Sequence, residues 1–105
     1  MNDTNNLLTN LPASLPDELI EKIVVADSVR IERIISTGHS SPPDFWYDQD
    51  ENEWVIILQG SAVLEFENET RNLVSGNYVL IPAHQKHRVQ STSSSEPTIC
   101  LSIFY

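Results

Sequence analysis

The residues able to do chemistry in this sequence are three histidines, one cysteine and a set of carboxylates crowded between positions 48 and 53. His84 and His87 share a His-x-x-His spacing. On a helix that spacing would put both rings on one face, but here they straddle a turn behind Pro82, which permits convergence without requiring it. Glu53 begins the otherwise apolar stretch Glu53-Trp54-Val55-Ile56-Ile57-Leu58. An unpaired carboxylate is costly to bury, so Glu53 either sits at an exposed strand end or has a partner inside. Asp48, Asp50 and Glu51 form an acidic cluster. It lacks the regular ligand spacing and the glycine of a calcium loop, and it reads as a solvated rim. His39 follows Gly38 and precedes Ser40-Ser41-Pro42-Pro43, which makes it a loop residue. Tyr47, Asp48, Trp46 and Trp54 are candidates to line a cavity, although aromatics more commonly pack a core or an interface. Cys100 lies in an apolar run with no cationic neighbour in sequence to activate it, so it reads as a small buried hydrophobe.

The elements that must position these groups are strands. Residues 28–37 are rich in Val and Ile and end at Gly38. Residues 53–58 lead into Gln59-Gly60, and 61–67 alternate Ala62, Leu64 and Phe66 with Val63, Glu65 and Glu67. Short strands are expected at 71–74, 78–81, 87–91 and 98–105, separated by turn residues. Strands at this spacing predict an all-β sandwich or barrel. The 53–58 strand is apolar on both faces beyond Glu53, so both faces should be covered, one by the core and the other by a partner subunit or the N-terminal arm. A homodimer is therefore expected. Residues 1–26 have a different texture, punctuated by Pro12 and Pro16. Pro16 to Lys22 reads as one or two helical turns capped by Ser14 or Asp17, within an arm that lies on the barrel formed by residues 27–105 or on a second copy of it.

Composition narrows the function. The 105 residues carry six Lys and Arg against fifteen Asp and Glu, a formal net charge of −9. The few cations are scattered, which argues against a nucleic-acid partner and against docking on anionic lipid. No stretch has the apolar length of a membrane helix, the N-terminus lacks signal-peptide features, and a lone cysteine suits a reducing compartment. A cytoplasmic location is expected.

The order and spacing of several residues resemble the cupins. Glu53 and Gly60 match the end of the first cupin motif, and Gly76, Pro82 and His87 match the second. The resemblance covers roughly residues 28–105. It is closest to small single-domain cupins with an aromatic-acidic segment before the first-motif Glu, here Phe45-Trp46-Tyr47-Asp48-Gln49-Asp50. It implies a double-stranded β-helix, the jelly-roll barrel, enclosing one cavity. In the family two His, the Glu and the second-motif His bind one divalent metal, typically iron, manganese, nickel or zinc, whose open positions take oxygen or substrate. By resemblance Glu53 and His87 keep half of that site. The chain departs from the pattern at the His-x-His positions, which fall on Tyr47 and Gln49 or on Trp46 and Asp48. His84 replaces a motif glycine and Ser91 the final Asn, and the chain between Gly38 and Glu53 is two or three residues longer than the motif. The candidate metal ligands are thus Glu53, His87, Gln49 and His84, with Tyr47, Asp48 and Trp54 lining the cavity.

Two functions are compatible with these residues. One is a metal-dependent cupin acting on or sensing a small molecule. The other is a non-catalytic barrel, binding a small ligand or serving as a dimeric accessory module without metal. Retention of Glu53 and His87 favours the first, and loss of the His-x-His pair favours the second.

Overall fold

The computed structural model describes residues 4–12 and 15–105. Eight antiparallel strands make up its regular structure: β1 (Leu19–Val25), β2 (Arg30–Ser36), β3 (Glu53–Gln59), β4 (Ser61–Phe66), β5 (Thr70–Val74), β6 (Tyr78–Ile81), β7 (His87–Thr92) and β8 (Thr98–Phe104). They form two sheets, one ordered β1-β2-β8-β3-β6 and the other β5-β4-β7. No described helix is long and apolar enough to cross a membrane.

Side-chain alternation sets the inner wall. In β3, Glu53, Val55 and Ile57 are buried while Trp54, Ile56 and Leu58 remain partly exposed. In β4, Ala62, Leu64 and Phe66 turn inward. These residues pack with Leu73, Val79 and Ile81 into the core between the sheets. The β3–β4 hairpin turns at Gly60, whose φ is +85°. A Cβ there would approach Thr98 Oγ1 to 2.5 Å and Thr98 Cα to 2.7 Å, so only glycine fits.

The expected helical turn over Pro16 to Lys22 is not formed. Pro16 and Asp17 make a bend, and Leu19 onward is β1, paired with β2 from Leu19↔Ile35 to Val25↔Arg30. Ile20, Ile23, Val24 and Val25 are β-branched, and an edge of β2 was free to satisfy their backbone groups. The candidate cap Ser14 lies outside the described residues. The segment before β1 is held by Arg33, which points outward from β2. Its guanidinium donates to the carbonyls of Leu7 (3.0 Å) and Thr9 (2.8 Å) and pairs with Glu21.

Candidate functional site

A cavity of about 180 Å³ opens between the two sheets. Its deep wall is apolar, formed by inward residues such as Val55, Ile57, Leu64, Leu73 and Ile81. Polar groups enter from three directions. Strand β3 supplies Glu53, β7 supplies His87, and β8 supplies Ser102.

Register brings these three together. Glu53 opens β3 opposite Phe104 of β8 and Ile81 of β6. Ser102, two residues back along β8, donates its hydroxyl to Glu53 Oε2 at 2.9 Å. His87 Nε2 lies 3.6 Å from Glu53 Oε1, a charge contact just beyond direct hydrogen-bonding distance. Ser102 is fully buried and Glu53 and His87 almost so, at 8% and 4% exposure. Such burial is tolerable only because each has a partner.

The His87 ring is fixed from every side. Its Nδ1–H donates to the Gln85 carbonyl at 2.9 Å. Backbone bonds join Tyr47 N to His87 O (2.7 Å) and His87 N to Tyr47 O (3.1 Å). The Tyr47 ring stacks on the imidazole with centroids 5.5 Å apart, and Phe66 approaches from another side at 6.4 Å. Burial alone would lower the imidazole pKa, but the Glu53 carboxylate and the Gln85 carbonyl outweigh it and hold His87 above its usual range.

The other sequence candidates are distributed differently. Tyr47 and Gln49 line the cavity. Burial, with the charges of Glu18 and Glu53, raises the Tyr47 hydroxyl above its ordinary value. His84 does not face the cavity. It occupies a positive-φ turn position, with its side chain 62% exposed, and pairs with Asp48 at 2.8 Å and Asp50 at 3.4 Å. Asp48 is therefore on the outer rim rather than in the lining. Trp54 also points outward, because it alternates with Glu53 and Val55, and it packs against Tyr78 at 5.4 Å. His39 sits in the loop after β2, where Nδ1 accepts from Thr37 N at 3.0 Å and Nε2–H donates to the Leu15 carbonyl at 3.1 Å.

Several lining residues escaped the reading of the sequence. Arg30, Glu32 and Ser36 share the inner face of β2, and Cys100 and Ser102 that of β8. Their signal was the recurrence of polar or small residues at every second position, which marks an inner face that is not wholly core. Arg30 donates to Glu32 at 2.7 Å and to both Glu51 oxygens at 3.0 and 3.1 Å, with its guanidinium 4.1 Å above the Phe104 ring. Glu18 lines the cavity beside β1. Burial pushes its carboxyl up, against the charge of His39 and a hydrogen bond from Ser36.

Comparison with known proteins agrees with this architecture. The family model described as Cupin domain matches residues 32–104. No curated protein matches the chain. A solved structure from Ralstonia eutropha JMP134, described as a putative mannose-6-phosphate isomerase, is 39% identical with a TM-score of 0.94, covering 98% of this chain and 97% of that one. A cupin superfamily protein from Desulfitobacterium hafniense DCB-2 is 23% identical with a TM-score of 0.75, over 90% of this chain and 82% of that one. A cupin with a double-stranded β-helix fold from Methanocaldococcus jannaschii is 20% identical with a TM-score of 0.70, over 90% and 85%.

Proposed function

This chain belongs to the Cupin domain family, and from that premise we propose that it binds a small organic molecule inside its barrel, with Glu53 and His87 as polar anchor and proton-exchanging pair. The observation that carries this reading is a buried carboxylate and imidazole facing each other at 3.6 Å on the wall of a cavity whose deep end is apolar. Because Nδ1–H is committed to Gln85, a neutral ring would turn the Nε2 lone pair toward the carboxylate. A proton shared by the pair removes that repulsion. A ligand group replacing either partner can take up or release this proton, and the apolar wall supplies the bulk of binding.

A divalent metal could also sit between the two groups. Two ligands of a tetrahedral ion lie about 3.4 Å apart at ordinary bond lengths, close to the separation of the pair. The rest of the donor set does not fit a resident ion. At the positions of the missing histidines, Tyr47 is stacked on His87, Gln49 offers only a carboxamide, and Asp48 is engaged by His84 on the rim. Among the described residues no group of three or more His, Cys, Asp and Glu is placed to hold a metal.

The name of the Ralstonia eutropha structure suggests sugar-phosphate isomerisation. A phosphate dianion calls for uncommitted cations, and the one guanidinium lining this cavity, Arg30, is bound to two carboxylates. That weighs against a phosphorylated substrate here.

The outer face of the larger sheet supports self-association into a homodimer. Trp54 packs against Tyr78 there, and Tyr78 and Leu80 are 64% and 54% exposed on the edge strand β6. Light scattering of wild type against Tyr78→Glu/Leu80→Glu tests this, with a dimer expected for the first and a monomer for the second.

The functional reading is tested by metal analysis of protein purified without chelators, alongside a thermal-shift screen of small molecules. We expect substoichiometric metal, together with stabilising ligands whose effect is lost in Glu53→Gln and His87→Gln. Near-stoichiometric iron, manganese, nickel or zinc, absent from Glu53→Gln, would overturn this reading in favour of a metal centre.

A further inference from the structure

Resting on the reading of the barrel as a small-molecule site, we propose that its ligand is an organic cation, a small amine whose apolar body fills the cavity and whose ammonium group is met by Glu18. Among the described residues, the cavity lining holds three carboxylates, Glu18, Glu32 and Glu53, against one guanidinium, Arg30, and one imidazole, His87. Even with His87 protonated, the lining keeps a net negative charge.

The three carboxylates differ in how far they are compensated. Glu32 is paired with Arg30 at 2.7 Å. Glu53 has Ser102 and His87. Glu18 has no ion pair among the described residues, although it is half-buried against the cavity. His39, whose charge when present pulls the Glu18 carboxyl down, is not ion-paired with it, and both its ring nitrogens are committed to the backbone of Thr37 and Leu15. A half-buried carboxylate beside apolar lining, with no ion-pair partner among the described residues, is a place where a cation gains most. The two other titratable lining groups add no positive charge. The Tyr47 hydroxyl is raised by burial and by Glu18 and Glu53, and the Cys100 thiol is pushed up to about 12, again mainly by burial.

Size limits the body of the ligand. The volume of about 180 Å³ is slightly above that of an engineered apolar cavity of about 150 Å³ that holds benzene. A single ring with a short arm therefore fits. The net charge of −9 over the whole chain adds long-range attraction for cations and repulsion of anions.

The test uses three probes of matched shape, benzylamine, benzyl alcohol and benzoate, titrated at neutral pH into the full-length ¹⁵N-labelled chain and read by NMR. Benzylamine is expected to shift resonances of cavity residues such as Tyr47 and Ser102 and to bind at least tenfold more tightly than benzyl alcohol, with benzoate weakest. In Glu18→Gln the amine's advantage should shrink severalfold while the alcohol's affinity stays unchanged, a comparison that needs no correction for altered folding. Equal binding of amine and alcohol in the wild type, or a preference for benzoate, would overturn the charge assignment while leaving the small-molecule site standing. Absence of cavity shifts with all three probes would overturn both.

Discussion

The hydroxyl of Ser102 donates to Oε2 of Glu53 at 2.9 Å, joining β8 to β3 at a point where both side chains are buried. The two are not register partners, since Ser102 faces Val55 and Glu53 faces Phe104. The contact is a diagonal one, which the inward side chains of adjacent strands can make. Among the described residues it is the one side-chain hydrogen bond that Glu53 accepts, and a bond to a charged group contributes more than a neutral one.

Ser102→Ala should therefore destabilise the fold by about 1.5–3 kcal/mol. Urea unfolding of wild type and variant checks this, and a loss below about 0.5 kcal/mol would show that Glu53 is supported from elsewhere.

The raised pKa of His87 fixes the sign of a pH effect. Its value in the unfolded chain is about 6.5, and in the fold it is higher. The protonated ring thus stabilises the native state fully below about pH 6.5, and that contribution is lost as pH rises through the folded value. The stability difference between wild type and His87→Gln should shrink as pH increases above this point. Parallel stability curves for the two proteins would contradict the Glu53–His87 coupling.

Two glycines offer a matched pair. Gly60 and Gly76 both have positive φ, +85° and +91°. A Cβ at Gly60 collides with Thr98 and the Pro97 carbonyl, whereas one at Gly76 meets nothing within 4 Å. Gly76→Ala should cost only the left-handed backbone penalty of about 1–2 kcal/mol. Gly60→Ala should cost clearly more, because β8 must also shift, and thermal unfolding of the two variants orders them.

Cys100 should be inert in the native protein. Burial first, and then the charges of Glu53 and Glu18, push its thiol up to about 12, which leaves almost no thiolate near neutrality. A thiol reagent at mildly alkaline pH should modify it only after denaturant is added. Rapid labelling of the folded chain would mean that the cavity opens more widely than its walls indicate.

How much of this could be read in advance depended on how local each feature is. The strands from β2 to β8 followed from alternation and turn residues, which are properties of neighbouring positions. Strand β1 did not, because Pro16-Asp17-Glu18 carries the chemistry of a helix start, and the free edge of β2 that draws Leu19–Val25 into a sheet is invisible until β2 is paired with β8. Glu53 and His87 were singled out through motif spacing. Ser102 and Glu18 were not, since neither belongs to a motif, and each matters only through what it faces.

The sequence by itself determined that the chain forms an all-β barrel, and its motif spacing marked Glu53 and His87 as candidate site residues. Tertiary structure alone decided that Glu53 meets Ser102 and His87, that Trp54 faces out while Tyr47 and Gln49 line the cavity, and that His84 joins Asp48 on the rim. The physical reason is register. Side chains alternate with a period of two, so a slip of one residue in any strand pairing would exchange its inner and outer faces, and nothing within a single strand records which neighbour it will be set against.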